Sequence, residues 1–188
     1  MTEKITSSTL NEVPSLESHH YYLFNKDFTA DTTGDLIKFI LERNLAPKKP
    51  KQIKILINSH GGEVDSAFAL IDTIKGSPIP IHTFGLGSIA SCGLLTFISG
   101  EKGKRFITKN TSILSHQYSW GSHGKEHELF AAVKEFELTS SRIIDHYKKC
   151  TGLDEKKIRE YLLPPEDRWL SAKEAVKLGI ADSIVDFY

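Results

Sequence analysis

The chain has little with which to cross-link itself or bind a metal. Cys92 and Cys150 are its two cysteines, far apart in sequence and without metal or redox spacing. No apolar run approaches the roughly 18 residues that a transmembrane helix needs, and Met1–Ser8 holds no hydrophobic signal core. An excess of one charge is missing too, since 24 basic and 24 acidic residues cancel. That leaves no basic surface for nucleic acid and none drawn to an anionic membrane. The expectation is a reduced, cytoplasmic protein with neither as partner. What is present is ordinary: 188 residues, 39% apolar and 26% charged, enough for one domain with a sizeable core. Function must therefore come from a site.

Residues 1–18 are polar and aperiodic and read as a flexible arm, with a single domain over 19–188. Tyr21–Phe24 is the first strand candidate. Leu36, Ile37, Phe39, Ile40 and Leu41 follow with helical spacing behind Thr32, Thr33 and Asp35, which are expected to cap that helix. Ile53–Ile57 is an apolar strand that runs into Asn58-Ser59-His60-Gly61-Gly62, and a helical pattern over Ala67–Ile74 comes next. Residues 79–84 supply another strand before a second glycine-bearing turn. Strand, glycine turn and helix in repetition imply βαβ units, an α/β fold and a mostly parallel sheet. Ligands of such sheets gather beyond the carboxyl ends of the strands, where both glycine turns lie.

Lys104–Thr108 and Ser112–Ser115 read as two short strands, the second delivering His116. Lys125–Cys150 is the longest helical pattern, close to 40 Å at about 1.5 Å per residue. That exceeds what a small domain can cover, so beside the plain reading as a core helix stands a sharper one, a helix that projects and packs against another subunit. A short helix over Asp154–Tyr161, a turn over Leu162–Trp169, a Ser171–Glu174 capping box and a final strand over Ser183–Asp186 complete the chain.

The organising stretch is Gly85-Leu86-Gly87-Ser88-Ile89-Ala90-Ser91-Cys92-Gly93-Leu94-Leu95. A serine between small residues at a strand-to-helix transition can serve as a nucleophile, with helix N–H groups aimed at developing negative charge. The usual hydrolase elbow also carries glycine two residues earlier, where this chain has Ile89. Ser91 needs a base to take its proton. Among eight histidines, His116 closes a strand and opens a loop at the sheet end. His82 reads as a structural histidine, and His146 lies on the long helix. The imidazole in turn needs an orienting carboxylate. Asp167 is favoured over its neighbour Glu166 and over Asp145, Asp154 reads as a cap, and Asp182 and Asp186 read as solvated. Gly61 and Cys92 are the candidate backbone donors to an oxyanion. Cys92 stays open as a nucleophile in a Cys–His pair, although a small buried hydrophobe is the commoner fate of such a cysteine.

Taken together, Ile57-Asn58-Ser59-His60-Gly61-Gly62, Ile89-Ala90-Ser91-Cys92-Gly93, His116-Gln117, Thr151-Gly152 and Asp167–Ala175 resemble the ClpP family, the proteolytic subunits of ATP-dependent Clp proteases. The resemblance runs in order over about residues 20–188. It implies a crotonase-like (ClpP-type) fold with Ser91 as nucleophile, His116 as base, Asp167 as orienting carboxylate, and Gly61 and Cys92 as oxyanion donors. It implies two stacked rings of seven subunits joined through the long helix, and an AAA+ unfoldase that spends ATP to deliver polypeptide substrates. The peptidase itself would need no cofactor and no metal. The chain departs from the family pattern at His60 and Tyr118, where proline is usual, and at Cys92, where methionine is usual. Glu166 replaces a frequent arginine, with two extra residues nearby. The alternatives are a catalytically silent or partner-dependent ring subunit, a crotonase-type acyl-CoA enzyme and a purely structural α/β domain.

Overall fold

The computed structural model describes residues 15–186. The expected arm lies outside the described residues as far as position 14. Beyond it a 3-10 turn, Glu17–His19, is tied down by Arg43, whose Nη2 donates to Glu17 O at 3.0 Å.

Strand β1 (Tyr21–Phe24), helix α1 (Ala30–Leu45), β2 (Ile53–Ser59), α2 (Val64–Gly76), β3 (Ile81–Ala90) and α3 (Cys92–Ile98) alternate as the glycine turns predict. β4 (Arg105–Ile107) and β5 (Ser112–Ser115) precede the long helix α4 (Glu126–Thr151). Then come α5 (Glu155–Tyr161), β6 (Arg168–Leu170), α6 (Ala172–Lys177) and β7 (Ser183–Ile184). Strands β1-β2-β3-β4-β7 are hydrogen-bonded in that order, all parallel. β2 is buried along most of its length, as a parallel strand covered on both faces must be.

The helix α1 begins earlier than its apolar stripe suggests. Thr29 is the N-cap, and Thr32 closes a reciprocal capping box on it instead of capping the helix itself. The first turn carries Ala30 and Asp31, which have no apolar periodicity to announce them. β3 also outruns expectation and extends through the glycines to Ala90. Its first half pairs with β4 through Thr83–Gly85, and its second half with β5 through Ser88–Ala90. The sheet therefore forks along β3.

All seven residues of α3 are buried, as a helix apolar on every side requires. α4 is divided. From Thr139 onward it is anchored by Ile143, Ile144, His146, Tyr147 and Cys150, whereas Leu129, Phe130, Val133 and Leu138 before that point are exposed, Phe130 to 68%. The N-terminal half thus projects beyond the core of its own subunit. Gly152, with φ of 78°, ends the helix in the left-handed conformation that glycine adopts readily.

Candidate active site

Ser91 occupies the junction of β3 and α3 with φ of 53° and ψ of −122°. A non-glycine residue there costs of order 1–3 kcal/mol and persists where surrounding contacts hold it. Those contacts are visible: Ser91 N–H donates to Leu114 O at 3.1 Å, and Ser91 O accepts from Leu94 and Leu95 N–H at 2.9 and 3.1 Å. The turn is pinned to β5 on one side and to the first turn of α3 on the other.

The same pairing brings in the histidine. β3 and β5 run in parallel with Ala90 opposite Leu114, while β5 and β6 run antiparallel with Ser115 opposite Arg168. One residue further along the β3–β5 ladder Ser115 comes opposite Ser91, so His116 leaves β5 just beyond the serine, and one residue further along the β5–β6 ladder Asp167 comes opposite His116. The His116 Nδ1 lies 4.0 Å from Asp167 Oδ1, with the histidine side chain 24% exposed and the aspartate 66%. This is ion-pair range and longer than a hydrogen bond. Among the described residues no hydrogen bond joins Ser91 to His116. Glu166 is exposed next to Asp167 and forms no hydrogen bond or ion pair with the imidazole.

Across the cleft, Gly61 has φ of 108°, and a Cβ there would lie 2.7 Å from Ser91 Cβ and 3.2 Å from Cys92 N. Only glycine allows this backbone to approach the serine turn so closely. Gly62 is equally confined, bridged to Phe28, whose carbonyl oxygen would sit 2.3 Å from an added Cβ. The amides of Gly61 and Cys92 consequently flank the serine. Cys92 opens α3, so its N–H has no intrahelical acceptor. The Gly61 N–H already donates to Ser59 Oγ at 3.1 Å, and that hydroxyl donates to Lys26 O at 2.7 Å. Sequence reasoning missed this contact. The serine two residues before the glycine was its only trace.

Cys92 is poorly suited to nucleophilic attack. Burial pushes its thiol up to about 11, and Sγ donates to Gly62 O at 3.2 Å. Asp145 is exposed on α4, and Asp154 caps α5 by accepting from Lys157 N–H. Asp182 is a correction, because it is not a solvated flank of the last strand. Its carboxylate takes Arg105 Nε and Nη2 at 2.9 and 2.6 Å and the N–H groups of Gly103 and Arg105. Burial opposes the charge, but these donors outweigh it and lower the Asp182 pKa. The Arg105 Nη1 also donates to Cys150 O, which ties β4 and β7 to the end of α4. His146 is buried with Nε2 2.8 Å from Leu95 O, fastening α4 to α3. His82 is half-buried with its ring edge toward Phe106, and burial lowers its pKa.

His60 is exposed at the glycine turn. Tyr118 packs on Phe136 at 5.4 Å between ring centres, and Trp120 packs on the same ring at 5.1 Å, so the segment after His116 rests on α4. A cavity of about 480 Å³ opens there, lined in part by Gln117, Tyr118, Phe136, Ser140 and Ile144. Among the described residues no group of three or more His, Cys, Asp or Glu is placed to hold a metal ion. None of their helices is long and apolar enough to cross a membrane.

Comparison with known proteins agrees with this geometry. The family model described as Clp protease matches residues 19–187. ATP-dependent Clp protease proteolytic subunit 1 of Chlamydia muridarum is 34% identical over 165 residues, covering 86% of this chain and 84% of that protein. The proteolytic subunit of Deinococcus radiodurans is 33% identical over 143 residues, or 76% of this chain and 69% of that one. A ClpP1 mutant from Listeria monocytogenes superposes with a TM-score of 0.80 at 27% identity, covering 91% and 94% of the two chains. The forked parallel sheet, the serine turn facing a Gly-Gly loop and the half-exposed long helix therefore have one common explanation: this chain belongs to the Clp protease family, with the ClpP fold.

Proposed function

We propose that the chain is a serine endopeptidase subunit of a self-compartmentalised, ATP-dependent Clp-type protease. The observation that carries this reading is the strained Ser91 turn, held by β5 in the register that delivers His116 and, one strand further, Asp167. Ser91 Oγ attacks the scissile carbonyl and His116 accepts its proton. The resulting oxyanion lies against the Cys92 and Gly61 amides, Gly61 turning its N–H from Ser59 toward the new charge. Asp167 holds the imidazole and stabilises its charged form. The tetrahedral adduct collapses as His116 returns the proton to the departing amine. Water, activated by the same histidine, then hydrolyses the acyl-serine.

Two heptameric rings, built through the exposed half of α4, would enclose the sites. An AAA+ unfoldase of the Clp type would spend ATP and feed unfolded chains inward, while the peptidase uses no cofactor. A cytoplasmic location accompanies this reading. The 4.0 Å between His116 and Asp167, together with the lack of a Ser91–His116 hydrogen bond among the described residues, favours one second reading: a ring subunit silent until a partner aligns its triad. The first reading accounts for the same distance, because catalytic hydrogen bonds are often long in apo structures and tighten when substrate binds.

Labelling of the purified protein with a fluorophosphonate, alongside its native mass, separates the readings. Covalent labelling at Ser91 in a particle of many subunits is the expected result, and Ser91→Ala abolishes it. An assembled particle that stays unlabelled supports the silent subunit and refutes the independent peptidase.

A further inference from the structure

We infer that Ser115 and Tyr147 are positioning residues for His116 and Asp167, joined in a buried hydrogen-bond chain that sets the distance between them. The inference rests on the peptidase reading above.

Side chains alternate along β5, so Ser115 points into the core while His116 points to the cleft. Ser115 is fully buried and Tyr147 nearly so. The Ser115 hydroxyl donates to the Leu162 carbonyl, and it lies 3.0 Å from the Tyr147 hydroxyl. A serine hydroxyl has one hydrogen, and a carbonyl can only accept. Tyr147 must therefore donate to Ser115, and Ser115 to Leu162. Burial raises the pKa of Tyr147, which keeps the phenol protonated and able to donate throughout the working range. Linked bonds of this kind polarise one another in a water-free interior.

The chain joins three elements at the point where the site needs them fixed. Tyr147 belongs to the anchored half of α4, Ser115 immediately precedes the base, and Leu162 is the C-cap of α5. On the other side of His116, Gln117 Nε2 donates to Leu163 O at 3.0 Å. Both chain neighbours of the histidine are thus bonded to consecutive carbonyls of one turn. From Leu163 the backbone continues through Pro164, Pro165 and Glu166 to Asp167. Each proline fixes its own φ and restricts the residue before it. A shift at Leu162 consequently reaches Asp167 with little slack. The β5–β6 ladder aligns strand with strand, and the Ser115 bond sets how closely the turn approaches. Ser115 and Tyr147 are both buried, so their influence is exerted through His116 and Asp167.

The test compares Tyr147→Phe, Ser115→Ala and the double variant with the wild-type assembly. Fluorophosphonate labelling, kcat and KM on a fluorogenic peptide, and Tm are measured for each. Ser115→Ala strands the Tyr147 hydroxyl and lowers Tm. Adding Tyr147→Phe removes the stranded group, so the double variant regains much of that loss. If the pair positions the site, kcat stays down about tenfold in the double variant while KM is unchanged, because small misplacements cost rate and not binding. Tyr147→Phe, which keeps the packing, shows the same decline in milder form. If activity recovers in step with Tm, the pair is structural only and the inference fails while the peptidase reading stands. If the wild-type assembly itself neither labels nor cleaves, the peptidase reading fails and takes this inference with it.

Discussion

His146 offers the clearest quantitative test of how the long helix is held. The side chain is 8% exposed, and its Nε2 is 2.8 Å from Leu95 O, which can only accept, so Nε2 carries a proton. Burial, chiefly, lowers its pKa from 6.5 to about 4; Lys75 and Lys149 push the same way, while the Leu95 bond and Asp72 oppose. The unfolded chain takes up a proton near 6.5, and the folded chain resists until about 4. The neutral ring's contribution is complete above the unfolded value and is lost as pH falls from about 6.5 to 4. At 1.36 kcal/mol per unit, the displacement is worth about 3 kcal/mol. Urea unfolding of wild type and His146→Gln at fixed protein concentration, from pH 7.5 to 4, isolates this group, since glutamine offers a donor to Leu95 O without titrating. The carboxylates titrate alike in both proteins and cancel in the difference. Wild type is expected to lose about 3 kcal/mol more than the variant over that window. Parallel stability profiles between pH 6.5 and 4 would refute the argument, because they would mean that the folded helix junction accepts the proton freely.

The positive φ of Ser91 predicts that Ser91→Gly is more stable than Ser91→Ala by about 1 kcal/mol in denaturant unfolding, although both are inactive. Equal stability would show that the turn is unstrained. Asp167→Asn should lower kcat by roughly 10⁴-fold through the wrong imidazole tautomer, and a near-normal rate would remove Asp167 from the site. Arg105 is only 2% exposed, so Arg105→Leu leaves the Asp182 carboxylate and the Cys150 carbonyl without their partner. It should lower unfolding stability by about 3–5 kcal/mol, and a loss below about 1 kcal/mol would mean that the pair is not the clamp described.

Much of this protein was legible in its sequence because the signals were local. Apolar runs ending in Asn58-Ser59-His60-Gly61-Gly62 and, at Phe84, in the glycine-bearing stretch before Ser91 announced strands entering turns, and these announced a parallel sheet with a candidate site at its carboxyl edge. The Ser171–Glu174 box, the Asp154 cap and the Gly152 stop marked helix ends, since a cap needs only residues three or four positions apart. A helix too long for its domain was visible as periodicity alone. Ser91 and His116 could be proposed because each sits where its element ends.

What stayed hidden depended on partners distant in sequence. β6 has three residues and an exposed Trp169, and it is a strand only because β5 lies beside it. Asp182 looked solvated until Arg105 met it across the sheet, and the Gly61 amide looked free until the fold placed Ser59 Oγ on it. The choice between Asp167 and Glu166 turns on the register of one antiparallel pair, and a one-residue slip there would exchange them. Residue order determined which groups this chain carries and where its elements begin and end. Tertiary structure alone decided which groups meet, because strand register and burial are set by the whole sheet and not by any stretch of it.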